Sequence, residues 1–230
     1  MTTEQVGEAV RSDAPQSLAD LIDKRIQEIQ RGVLQRSGQS LASLAQLRRA
    51  AGKPAGSVPE VWGDTIDGLS SSDGYRGDGP TRAETAAHLA MTLYAVHQQS
   101  QNVGVHRRGR DFGLGAAVAR LREREASRRG SSVAEQASSP VTRRFMMLGT
   151  AQDLEEVAYH ARGLINQLRG GAGTEAIRLD YALLAHQFVL LQDPAGANQV
   201  RLAWGRDFYR APKPRKQSDT PTPEANGDSK

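Results

Sequence analysis

The chain contains no cysteine, which excludes disulfides, thiolate metal sites and cysteine nucleophiles. Aromatic residues are scarce, 5% of the 230 positions. No apolar run approaches the ~18 residues that suggest a membrane-spanning helix. The opening Met1-Thr-Thr-Glu-Gln lacks the charged and apolar regions of a signal peptide. A cytoplasmic protein with no membrane partner is the expectation. The five histidines (His88, His97, His106, His160 and His186) never fall three or four residues apart, and no His-Glu-x-x-His or Glu-x-x-His pair occurs. Neither a metal nor a cofactor is therefore expected. A Gly-x-Ser-x-Gly elbow and a Walker loop are also missing. Gly113-Leu-Gly115 has the outline of a phosphate loop, but arginines rather than an apolar strand precede it and a third glycine is absent. Close helix packing is its expected role. The polar residues converge on no active site, which points to a binding protein rather than an enzyme.

What is present is arginine, unevenly spread. Between Gln101 and Gly130 stand Arg107, Arg108, Arg110, Arg120, Arg122, Arg124, Arg128 and Arg129, opposed only by Asp111, Glu123 and Glu125. That excess is larger than the +4 of the whole chain. A second cluster comprises Arg48, Arg49 and Lys53, and Arg143 and Arg144 sit where a helix should begin. Cations at a helix start oppose its dipole, so an external anion is expected there. Concentrated guanidinium charge suits a polyanion, because each neutralised phosphate releases condensed counterions. With few aromatics, and none read as interleaved with the arginines, backbone contact is expected rather than base stacking.

The apolar periodicity is 3.6 nearly throughout, with no alternating strand pattern, and predicts an all-α fold of roughly eight or nine helices. Leu18, Leu21, Ile22, Ile26, Ile29 and Val33 share a face of a helix ending near Gly38. Ser40 is the expected cap of a second helix stopped by Gly52 and Pro54. Thr81 with Glu84 forms a capping box, Ser139-Pro140 sets N-cap and N1, and Asp153, Asp180 and Asp193-Pro194 open further helices. Loops are expected at 68–80, 101–111 and 131–139. Residues 1–15 and the proline-rich 211–230 hold too little large apolar surface to offset ordering entropy, so both are expected to be disordered. Between them two small bundles are expected, 16–130 and 131–210.

Several segments, in order, resemble the CasB family, the small subunit of the type I-E CRISPR surveillance complex (Cascade). Leu44-Ala-Gln-Leu-Arg-Arg-Ala50 followed by Pro59-Glu-Val-Trp62 is similar to the family's N-terminal helix. The run from Ala87 to Gln99 is similar to its central helix, and Phe112-Gly-Leu-Gly-Ala-Ala-Val118 to the start of a third. Arg143-Arg-Phe145, Leu179-Asp-Tyr181 and Trp204-Gly-Arg-Asp-Phe-Tyr209 match its C-terminal half. The likeness covers about residues 16–210, and order and spacing carry it rather than any single motif.

The resemblance implies a non-catalytic, all-helical subunit present in two copies beside other Cascade subunits and the crRNA. It would hold the displaced and target DNA strands, stabilising the R-loop while base pairing reads the sequence. Arg48, Arg49, Arg143 and Arg144 stand at positions of the family's basic contacts, with Arg162 and Arg201 more loosely placed. Ala116 stands where some members carry arginine, so that contact is absent here or supplied by Arg120. From the residues themselves, Lys53, Arg107, Arg108, Arg110, Arg120, Arg124 and Arg128 join the candidate nucleic-acid contacts. The competing reading is a helical scaffold whose basic surface meets acidic partner proteins. A helix-turn-helix regulator around 139–169 is disfavoured, because Asp153, Glu155 and Glu156 crowd the start of its second helix.

Overall fold

The computed structural model describes residues 17–69, 77–170 and 176–210. The expected disordered segments, 1–15 and 211–230, lie outside the described residues, as does most of the 68–80 loop. Within them the apolar periodicity becomes ten α-helical segments: α1 (Leu18–Leu34), α2 (Gly38–Ala50), α3 (Trp62–Thr65), α4 (Arg82–Gln98), α5 (Leu114–Arg129), α6 (Val133–Ala137), α7 (Pro140–Thr150), α8 (Leu154–Gly170), α9 (Tyr181–Leu190) and α10 (Pro194–Tyr209). Two 3₁₀ turns, Pro59–Val61 and Arg110–Phe112, complete the set. The fold is all-α; α3 and α6 are barely a turn each, and no strand occurs among the described residues beyond a single bridge between His106 and Leu179.

Local chemistry sets most boundaries. Thr81 and Glu84 form the reciprocal capping box of α4, and the Ser139 hydroxyl accepts from the Thr142 N–H with Pro140 at the first helical position. Asp180 and Asp193 cap α9 and α10, and Asp153 accepts from the Glu156 N–H at the start of α8. Two boundaries differ from the sequence reading. Helix α2 starts at Gly38 rather than beyond Ser40, because α1 already ends at Leu34 and the Ser37 N-cap makes no side-chain bond that would mark it. The 131–139 stretch is not all loop: Ser132 and Glu135 form a second capping box that nucleates α6.

Helix α9 packs on α1 and α4, α2 also meets α1 and α4, and α5, α7, α8 and α10 pack on one another in turn. Contact between α4 and α8 joins these groups into one hydrophobic core. The groups interleave in sequence, α5 lying with the later helices and α9 with the earlier ones. At the α5–α10 seam Gly115 touches the Trp204 carbonyl, where a Cβ would stand only 2.2 Å from that oxygen. Gly113-Leu-Gly115 is thus a helix-packing element, as its sequence context implies. Phe208 completes the seam, stacked on Phe145 of α7 at 4.5 Å and covered by the Arg122 guanidinium at 4.3 Å.

Where α4 ends against the start of α9, a polar group is buried. His97 Nδ1 meets the Tyr181 hydroxyl at 2.9 Å, and both residues are shut away from water. Burial first, and Arg169 second, depress the His97 pKa from 6.5 to about 3. The unfolded chain therefore binds a proton near pH 6.5 that the native chain refuses, so stability is full above that pH and is lost as pH falls toward 3. From pH 7 to 5 the wild-type protein is expected to lose about 2 kcal/mol more unfolding free energy than His97→Gln. Urea titrations at the two pH values measure this; equal losses in both proteins would show that His97 does not set the acid sensitivity.

Candidate nucleic-acid interface

Leu44, Leu47 and Ala50 turn into the core, which by helical spacing leaves Arg49 exposed and Arg48 half-buried on the outer side of α2. Both stand in the last turn, where cations complement the helix dipole. The chain then turns through Gly52, at φ +85°, a conformation that favours glycine, and presents exposed Lys53. His88 of α4 fixes this turn from beneath: its Nε2 donates to the Lys53 carbonyl at 3.0 Å. Burial lowers the His88 pKa, so the ring is neutral while doing so. Arg162 of α8 arrives from the other side, its guanidinium 2.6 Å from where a Cβ on Gly52 would stand. Arg49 and Lys53 also line a groove of about 510 Å³ with Ser57, Pro59 and Glu60.

Across α8 the arrangement continues. Arg144 lays its guanidinium directly over Gly163, in space that any other residue's Cβ would fill, while Arg143 stays exposed. Helix α7 has no acid in its first turn, so nothing on its own terminus offsets these cations. Among the described residues no carboxylate lies within 4.0 Å of Arg48, Arg49, Lys53, Arg143, Arg144 or Arg162.

The 101–111 segment is a loop up to the Arg110–Phe112 turn, as the sequence suggests, and it is held closely to the helices around it. Its backbone is satisfied from three helices: Gln98 accepts from the Val105 N–H, Gln30 from His106 and Asp180 from Gly109. The Tyr181 N–H donates to His106 Nδ1 at 3.2 Å, which leaves the proton of the neutral ring on Nε2, donated to Asp23 at 2.8 Å. Arg108 is not free of acids. It pairs with Asp20 at 2.7 Å and Asp23 at 3.6 Å, two acids of α1 in addition to those of its own segment. The Ser17 hydroxyl, and then Arg108, hold the Asp20 carboxyl below its ordinary pKa.

Nor are the arginines without an aromatic. Arg107 and Arg120 place their guanidiniums 4.9 and 5.5 Å from the Phe112 ring centre, and Arg120 donates to the Asp111 carbonyl. Exposed Arg110 belongs to the same turn, while half-buried Arg124 and exposed Arg128 lie further along α5. Arg201 looks inward: it donates to the Ala151 carbonyl at 2.6 Å, at the α7–α8 junction. The candidate cations thus rest on two sets of elements, one on α2, α7 and α8, the other on the 105–112 segment and α5. Sequence reasoning missed Asp20 and Asp23, because nothing local links α1 to Arg108, which is 88 residues beyond Asp20.

Among the described residues no helix is long and apolar enough to cross a membrane, and no cluster of His, Asp and Glu could hold a metal ion. Residues 43–209 match the family described as CRISPR-associated protein Cse2, which places an all-helical, arginine-rich protein in the CRISPR-associated class. CasB from Thermobifida fusca is 37% identical, with a TM-score of 0.64 over 84% of this chain and 98% of that one. CasB from Thermus thermophilus, at 21% identity and a TM-score of 0.53 over 82% and 97% of the two chains, shares the fold. So does CasB from M. ruber, at 21% and 0.54 over 84% and 93%. No curated protein matches the chain. The chain belongs to the CasB (Cse2) family, subunits of the type I-E Cascade complex.

Proposed function

We propose that this chain is a non-catalytic small subunit that lays its arginines along nucleic-acid backbone without reading sequence. In the assembled complex, beside crRNA, the other subunits and a second copy of itself, it stabilises the R-loop by holding the displaced and target strands. One observation carries the reading: Arg162 of α8 converges with Arg48, Arg49 and Lys53 at the end of α2, and among the described residues no carboxylate within ion-pair distance neutralises them. Unneutralised cations held on a rigid helical frame are what phosphate contact requires. Nothing in this grouping presents the convergent donors and acceptors that would read base edges.

Anisotropy titrations of the full chain on single-stranded and duplex DNA of unrelated sequences test this. Binding is expected to vary less than about threefold with sequence, and to fall with salt at a log–log slope of several units. A slope near zero, or retention of an acidic protein with no nucleic acid bound at low salt, overturns the proposal.

A further inference from the structure

We infer that Tyr159 is a stacking platform for an unpaired base, so that the α7–α8 face takes single-stranded nucleic acid in preference to duplex. The inference rests on the function proposed above and assigns a ligand form to part of that surface. Tyr159 lies on the outer face of α8 and is 69% exposed, so its ring face is accessible to a ligand. The ring is not loose. His160 meets it edge-on, centroids 5.2 Å apart, and is itself 3.7 Å from Glu156, whose other oxygen accepts from the Gln152 N–H.

Cations frame the ring on one side. Arg162 is three residues further along α8 and Gly163 four, so both share the tyrosine's face, and the Arg144 guanidinium lies over Gly163. On the opposite side, one turn back, stands exposed Glu155. A strand stacked on Tyr159 therefore has a favourable exit for its phosphates toward Arg144 and Arg162 and an unfavourable one toward Glu155. That arrangement, an aromatic face bordered by guanidiniums, is the recurrent chemistry of single-strand binding. A duplex offers no free base face to the ring, because its bases already stack on one another.

The test uses the full chain with oligo(dT) and a duplex of equal length, measured by anisotropy. Tyr159→Ala is expected to weaken single-strand binding about tenfold and leave duplex binding unchanged, whereas Tyr159→Phe keeps both, since stacking needs the ring and not the hydroxyl. Arg162→Ala weakens both forms, because phosphate contact is common to them. A single strand carrying 2-aminopurine should be quenched by the wild type and not by Tyr159→Ala. Equal weakening on both DNA forms, or none on oligo(dT), overturns the inference while leaving the backbone-binding function intact. A wild-type chain that binds neither form overturns that function and the inference with it.

Discussion

Replacing Arg48, Arg49 and Arg162 together with alanine lowers the log–log salt slope of duplex binding by about 2.7, roughly 0.9 for each phosphate left without its cation. Affinity at low salt falls by orders of magnitude, and the expectation is specific to this trio. Arg49 and Arg162 are exposed, and none of the three has a carboxylate partner among the described residues, so their charge is available to an external anion. Stability changes modestly, since the main effect is the removal of dipole compensation by Arg48 and Arg49 at the end of α2, about 0.3–1 kcal/mol for each.

Two other arginines give the contrast. Arg201→Ala removes a donor from the carbonyl of buried Ala151 and should cost about 1–3 kcal/mol of stability while leaving the slope nearly unchanged. Arg108→Ala breaks a half-exposed pair with Asp20 and a longer contact with the largely covered Asp23, and is expected to cost less stability than Arg201→Ala. Salt titrations and thermal melts on the same samples separate the three. Should Arg201→Ala flatten the slope as much as the trio does, the phosphate-contacting surface has been placed on the wrong helices.

Those contrasts mark where the sequence is legible and where it is not. Helix starts are readable where the cap is a side-chain event between residues three apart and a clear apolar periodicity follows, as at Thr81 and Glu84 or Ser139 and Thr142. The Ser132–Glu135 box carries the same signal, but the segment around it is polar and short, and apolar periodicity alone passes over it. The start of α2 has no such signal, because no side chain caps it. The clustering of arginines is plain, yet their roles are not. Arg107, Arg108 and Arg110 look alike in sequence and are all exposed, but one lies over Phe112 and one is paired with α1. Arg162, isolated in sequence, meets the α2 cluster only because α8 lies against α4 and carries it there. Local chemistry writes the elements; long-range packing chooses which charges face water.

Gly115→Ala is expected to be strongly destabilising, and its cause is confined to one carbonyl group. The added Cβ would stand 2.2 Å from the Trp204 carbonyl oxygen and 3.0 Å from its carbon, and neither atom can rotate away as a side chain would. Helices α5 and α10 must therefore move apart. Overpacking of this kind costs about 3 kcal/mol, the upper part of its usual range. For a domain of this size each kcal/mol lowers Tm by about 2–4 °C, so a fall near ~10 °C is expected.

The effect reaches the proposed binding face, because Phe208 on α10 stacks on Phe145 of α7, the helix that carries Arg143 and Arg144. Affinity for DNA should drop with the loosened seam. Gly149→Ala has the opposite sign: it lies within α7, nothing stands within 4 Å of its added Cβ, and alanine is the better helix former by about 1 kcal/mol. Differential scanning calorimetry of the two variants therefore brackets the wild type. A Gly115→Ala protein that melts at the wild-type temperature would mean that α5 and α10 are not held at the distance described, and with them the position of α7.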